Sequence, residues 1–501
     1  MIAAWWTFIL VLAACDRPPE DAAEVPRKPV QPTPPEAYAT VHSTGGVLET
    51  TLTAANSPIT LGGKTFSSMV YNGRYLPPVL RLQRGDSLKL HLINRLQKKD
   101  EVTNLHYHGT SVSPKAPSDD VFLHVQPGES YNYRVYFPPD HDRGLFWYHP
   151  HPHGESEDQV LGGMSGVLVV EGLLEGLYPW IEGVPERILM LKALELPGAK
   201  DGDPHTKNIN GELDATFRIR PGELQFWRIA NIAADAYFNL RIDGHRVWLL
   251  ANDANALRRP MLVDSLFLPP GARAEVLVQA GRPGRYPIRH LLVNTGPAGD
   301  PNPAVGLGAL VSEGDPVDRS AIVARLSQME EVAEAAADID SLRAGPITRH
   351  RTFVFSETAD GDTFFINKKQ FDPNRVDTQV DIGDVEEWTI ENRSGEFHAF
   401  HIHQTDFLVT EINGVPQPAQ GLHDTVNLPY AVNGRPGVVK IIIPFADEHI
   451  AGRFVYHCHI LEHEDGGMMQ VIQVSPHANN PINTKSGPAH RERGAGSLPS
   501  R

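Results

Sequence analysis

Strand-like patterns of apolar and polar residues dominate this chain. Ser87-Leu-Lys-Leu-His-Leu-Ile93 and Tyr131-Asn-Tyr-Arg-Val-Tyr-Phe137 alternate with a period of two, and Val438-Val-Lys-Ile-Ile-Ile443 is a run rich in β-branched residues. Successive side chains of a strand point to opposite faces, so alternation predicts strands with one buried face. One stretch breaks the pattern. Asp318 to Leu342 is rich in Ala and Glu with scattered apolar residues, which predicts a helix.

The strand pattern recurs three times. Leu80 to Asn94, Phe217 to Asn231 and Val380 to Asn392 each read strand, Gly-acid turn, strand, Asn. Asn72-Gly73, Asn210-Gly211 and Asn367-Lys368 precede the three blocks. Each block is followed by another strand, and each copy ends on a Gly-led strand: Gly144-Leu-Phe-Trp-Tyr-His, Gly284-Arg-Tyr-Pro-Ile-Arg and Gly452-Arg-Phe-Val-Tyr-His. Such self-similarity predicts an all-β chain of three consecutive β-sandwich domains at 37–176, 183–316 and 347–476. A helical linker at 317–346 would join the last two, and it reads as a surface connection ahead of a lid over a substrate. The polar tail 477–501 is expected to be disordered.

Composition narrows this picture. With 501 residues, 41% hydrophobic and 21% charged, the chain can bury several cores, and 43 Gly and 42 Pro suit many short strands and turns. A net charge of −16 excludes a duplex-binding surface, so no nucleic-acid partner is expected. The first 15 residues are a short apolar run ending Leu12-Ala13-Ala14-Cys15. This resembles a bacterial lipoprotein signal without its usual leading Lys or Arg. The resemblance implies export and a lipid anchor on Cys15, in the periplasm or at the cell surface. An ordinary signal peptide is the alternative. Residues 16–36, rich in Pro, Glu and Ala, read as an extended tether.

Ten of the 23 histidines fall in four clusters placed alike in the first and third repeats. They are His106-Tyr107-His108, His149-Pro150-His151, His398-Ala399-Phe400-His401-Ile402-His403, and His457-Cys458-His459 followed by His463, Glu464 and Met468. Imidazole and thiolate together favour copper or zinc. A lone His-x-His is most often two exposed strand histidines. On a strand, however, such a pair aims two rings at one space, and in His457-Cys458-His459 the thiol points the other way. One short segment therefore serves two metal sites, and a His₂Cys set with a weak Met is a blue-copper ligand set. The second repeat has Arg241-Ile-Asp243 and Arg289 at the matching places, so it is expected to be a copper-free spacer.

With these motifs the chain resembles the bacterial three-domain, laccase-like multicopper oxidases over roughly 40–475. The resemblance implies cupredoxin-like Greek-key sandwiches and four copper ions. His398, Cys458 and His463 would hold the type 1 copper with Met468 axial, ahead of Met469. His106 and His401 would hold the type 2 copper. His108, His149, His151, His403, His457 and His459 would hold the type 3 pair. Electrons would enter at His398 or His463 and pass through Cys458. Glu464 and either Asp119 or Asp120 are the acids expected to supply protons, with a structural hydrogen-bond acceptor or loop acid as the plain alternative. Outside the clusters only His153 is a further candidate.

The implied activity is oxidation of phenols or aromatic amines coupled to reduction of O₂ to water, by a monomer of low to medium potential. Oxidation of Cu(I), Fe(II) or Mn(II) is the alternative. No Met-rich insert is present: there are 8 Met, and Met329 alone lies between the second and third repeats. Glu396, two residues before His398, reads first as a solvated loop carboxylate, with binding a metal ion or orienting a phenol as the alternative. A copper nitrite reductase lacks a type 3 pair, and a non-catalytic scaffold on this fold would show eroded ligands.

Overall fold

The computed structural model describes residues 38–476 apart from 99–100, 201, 330, 360 and 362. The expectations for 1–15, for Cys15, for the tether and for 477–501 lie outside the described residues. Six sheets account for the fold. Two lie within 40–170, two within 186–312 and two within 349–475, and each pair closes over its own apolar core. No described helix is long and apolar enough to cross a membrane.

The repeated Gly-acid turn is a crossing point between sheets. Val79–Leu82 belongs to the five-stranded sheet of the first sandwich, and Ser87–Arg95 to its four-stranded partner. Gly85, Gly222 and Gly383 occupy the same place in the three copies with φ of 86°, 76° and 100°, which disfavours a side chain. The Asn that closes each block is a buried staple. Asn94 Nδ2 donates to the carbonyls of Glu101 and Val125, Asn231 Nδ2 to those of Ala236 and Leu268, and Asn392 Nδ2 to those of Glu396 and Leu428. Each Asn thus holds the loop leading to the next strand of the facing sheet, and in the first and third copies that strand carries histidines. Asn72, Asn210 and Asn367 are equivalent turns in the left-handed region, with φ of 53°, 52° and 53°.

The facing sheets have matching strand orders. In the third sandwich Gly452–Cys458 lies between His398–Ile402 and Met469–Ser475. In the first, Gly144–His149 lies between His106–His108 and Gly166–Val170. In the second, Gly284–His290 lies between Phe238–Ile242 and Val305–Ser312.

Between the second and third sandwiches the chain forms two helices, Ser320–Gln328 and Ala333–Ala344, where the sequence pattern suggested one. Val332 is extended at the break and buries its side chain with Leu326 and Ala335 against Trp248 and Leu250 of the second sandwich. Arg258 ties this segment down through Glu331 and Asp340, and Arg143 of the first sandwich reaches Glu334. The connection is packed and ion-paired against the first and second sandwiches.

Candidate metal centre

Four groups of buried side chains bring metal-ligating atoms within 4.8 Å of one another: His106, His108 and His401; His108, His149 and His459; His151, His403 and His457; and His398, Cys458 and His463. All ten clustered histidines and Cys458 belong to at least one of them, and His108 to two. None draws on residues 183–316. Rings from the first and third sandwiches interleave: His106 stacks on His403 and His108 on His401, each with centroids 3.8 Å apart.

Strand geometry produces the division. His401 pairs with His457, and His106 with His149, across adjacent strands. Cys458, one residue on, turns into the third core beside Phe400 and Met468. The chain then makes one helical turn, Leu461–Asp465, and folds back. The Met468 amide donates to the His463 carbonyl at 2.8 Å, and the Cys458 amide to the Met468 carbonyl at 3.0 Å. His463 returns to the thiol side: its Nδ1 is 3.6 Å from Cys458 Sγ, His398 Nδ1 is 3.7 Å from it, and the two Nδ1 atoms are 3.0 Å apart. Met468 shares the core cluster of Cys458, whereas Met469 packs with Val121, Val455 and Val471 on the other face. The strand period thus separates two adjacent methionines.

The donors are set up for a cation. Burial, followed in most cases by neighbouring imidazoles, holds His108, His149, His401, His403, His459 and His463 well below the ordinary histidine range, and burial takes His398 and His151 to about 3. Neutral rings keep lone pairs free. The Nε2 atoms of His106, His149 and His401 are buried with no hydrogen-bond partner. Nε2 of His457 faces Nε2 of His403 at 3.2 Å and of His151 at 3.4 Å. Converging imidazole nitrogens with a buried thiol suit copper, and these residues fit it. Burial pushes the Cys458 thiol up, so a bound cation is what would hold it as thiolate.

Outer partners orient the rings. His398 Nε2 is 2.9 Å from Ser394 Oγ, His463 lies under Phe364 at 4.2 Å, and the Ala399 amide donates to Cys458 Sγ at 3.4 Å. Asp119 is buried against His106, 3.0 Å from Nδ1, and accepts from the Gln404 amide at 2.6 Å. Asp120 faces away and accepts from the Phe122 amide at 3.1 Å. The structure therefore brings Asp119, and not its neighbour, to the histidines. Glu464 is buried 3.0 Å from His457 Nδ1 and 3.4 Å from His151 Nδ1. Burial pushes its carboxyl up, but His151 and His457 outweigh this and hold it below the usual carboxylate range. His153 is exposed against Phe371 and joins no group.

Sequence reasoning missed Asp424 and Arg273. Asp424 is buried 3.3 Å from His108 Nε2, and its carbonyl is 2.8 Å from His401 Nδ1. Arg273, fully buried, ion-pairs with it at 2.7 Å. An arginine opening an apolar strand, Arg273-Ala-Glu-Val-Leu-Val278, was the available signal.

The thiol-side group borders a cavity through His463. His398 is wholly enclosed, but His463 Nε2 is 3.3 Å from Glu396 Oε1 and lines a cavity of about 260 Å³. Glu157, Asp235, Asp300 and Glu462 share the lining with Glu396. Burial first, then the neighbouring Glu357, pushes Glu396 up to about 10; burial pushes Glu157 to about 9 and Asp235 to about 7.

Models of the multicopper oxidase family match residues 53–174, 187–314 and 346–478. A multicopper oxidase of Staphylococcus aureus is 27% identical over 442 residues, covering 82% of this chain and 85% of that protein. The cell division protein FtsP of Dickeya dadantii is 25% identical, covering 82% and 85%. Among solved structures, a multicopper oxidase from Campylobacter jejuni described as a metallo-oxidase aligns with a TM-score of 0.73 at 25% identity, over 88% of this chain and 94% of that one.

Proposed function

The chain belongs to the multicopper oxidase family, a class of copper-dependent oxidoreductases with oxygen as acceptor, and from that premise we propose that it takes single electrons from a small cationic reductant beside His463. The reading assigns four coppers. One, type 1, would be held by His398, Cys458 and His463, with Met468 of the same core cluster as a weak fourth donor. One, type 2, belongs to His106 and His401. A type 3 pair divides between His108, His149 and His459 and the set His151, His403 and His457. Bound copper supplies reversible one-electron chemistry and, in a group of four, the electrons that reduce O₂ to water.

The residues supply the rest. Cys458 is covalently joined to His457 and His459, so the peptide itself bridges the electron-entry group to the other three. Asp119 and Glu464 are assigned to hold and pass protons, since each carboxylate touches an imidazole of the enclosed cluster. The complete set of ten histidines and one cysteine favours an enzyme over a non-catalytic scaffold on this fold.

The observation that carries the substrate reading is the acidic cavity ending on His463. Six acidic side chains line this cavity beside the edge of His463, and those that are ionised favour a metal ion such as Cu(I), Fe(II) or Mn(II). Tyr237 and Phe397 also line the cavity, and this favours a second reading, aromatic amines or phenols oriented by Glu396. O₂ uptake with each metal ion and with a phenol separates the two. Metal ions are expected to turn over with the higher kcat/KM, and Glu396→Ala, which removes an oxygen donor 3.3 Å from His463, to lower that value several-fold while leaving the phenol nearly unchanged. Loss confined to the phenol would assign the cavity to aromatic reductants. Export as a monomer with lipid on Cys15 completes the proposal, checked by mass spectrometry of the mature N-terminus.

A further inference from the structure

Of the eight histidines in the three enclosed groups, seven turn Nε2 inward. Nδ1 of His106 faces Asp119, that of His149 the Pro150 carbonyl at 2.9 Å, that of His401 the Asp424 carbonyl, and that of His457 the Cys458 carbonyl at 2.8 Å. Nε2 of His151 and of His403 faces His457, and Nε2 of His459 is 3.1 Å from His108 Nδ1. His108 is reversed: its Nδ1 points inward and its Nε2 points at Asp424, 3.3 Å away.

A neutral imidazole carries one proton, and whichever nitrogen donates it leaves the other lone pair for a metal. A carboxylate beside Nε2 selects the form His108 needs. That carboxylate is 1% exposed, and a buried charge persists only with a partner. The partner comes from the sandwich that has no ligands. Arg273 donates from Nη1 to Asp424 of the third sandwich at 2.7 Å and from Nε to the Leu145 carbonyl of the first at 3.1 Å, and its own amide donates to Asp253 at 2.8 Å. Two glycines make room. A Cβ on Gly109 would collide with Arg273 and Asp424, and one on Gly271, at φ 89°, would sit 3.0 Å from both His108 and His459.

We propose that the second sandwich positions the three-copper centre, with Arg273 acting through Asp424 to keep the His108 proton on Nε2 and turn Nδ1 to the metal. Arg273 is a positioning residue, and its role rests on the copper reading above. Without the Arg273 contact, the Asp424 side chain is free to rotate, and its hold on His108 is lost.

The test compares the wild type, Arg273→Gln, Arg273→Lys and Asp424→Asn, each loaded with copper. The readouts are copper per chain, the blue absorption band of the Cys458 site, and electron paramagnetic resonance of the remaining copper. Arg273→Gln and Asp424→Asn are expected to keep the blue band, to bind copper at the enclosed site about 10–100-fold more weakly and to lose the spin-silent signature of a coupled pair. Arg273→Lys is expected to restore part of both. A native enclosed-site spectrum and copper content in Arg273→Gln would overturn the proposal. So would loss of the blue band in step with the other signals, which would make Arg273 a fold residue only. A wild type that binds no copper would instead overturn the copper reading itself.

Discussion

The outer sandwiches and the middle one are built alike and do opposite things. At one register position of the facing sheet, the first has His106 opposite His149, the third has His401 opposite His457, and the second has Arg241 opposite Arg289. The histidines are buried between two sandwiches. The arginines are 52% and 51% exposed and share Asp243 in a surface ion pair. The backbone is constant, so chemistry here belongs to which side chains stand at a few strand positions and to what those positions face. Yet the middle sandwich is not inert, because it sends Gly271 and Arg273 into the centre its neighbours form.

Substitutions across this comparison should grade from total loss to nothing. Cys458→Ser removes the only described thiol and is expected to abolish the blue band and O₂ uptake together; normal uptake would break the proposed electron route. His149→Ala and His457→Ala, at equivalent positions of the outer sandwiches, should each abolish O₂ uptake while leaving a measurable blue band. Glu464→Gln and Asp119→Asn keep every ligand and should slow O₂ uptake by about 10²-fold, with the band unchanged.

A smaller effect is expected from pH. A carboxyl with a raised pKa is neutral below it and ionised above it, so the cavity's pull on a cation grows as pH rises through Asp235 at about 7. Lys207, also lining the cavity and brought down to about 8 by burial, loses its positive charge in the same direction, while Glu396 at about 10 and Glu157 at about 9 stay largely protonated near neutrality. The KM for a metal ion should therefore fall several-fold from about pH 6 to about pH 8, with little change for a phenol. A KM that rises over this range would count against cation capture. At the bottom of the scale, Arg289→Ala breaks only an exposed ion pair and should change stability by about 1 kcal/mol or less, with copper content unaltered, as thermal unfolding and metal analysis would show.

Much of this was legible in the chain itself. Period-two patterning, the three Gly-acid blocks and the repeated Asn specify three sandwiches, because strand alternation and left-handed turns are local properties. The ligand clusters are legible for the same reason: His-x-His on a strand shares a face, and the residue between shares the other. The break at Val332 was not legible, since one extended residue there is held by Trp248 and Leu250 from distant sequence.

The order of residues along the chain specifies an inventory: which side chains can bind metal, and which strand face each occupies. Tertiary structure alone decided how the inventory is spent. It divided the six type 3 candidates between two groups, placed Asp119 rather than Asp120 on His106, left His463 rather than His398 open to a cavity, and delivered Arg273 to Asp424. Each of these depends on contacts between segments many tens of residues apart, where loop paths and packing set distance, and no local pattern records them.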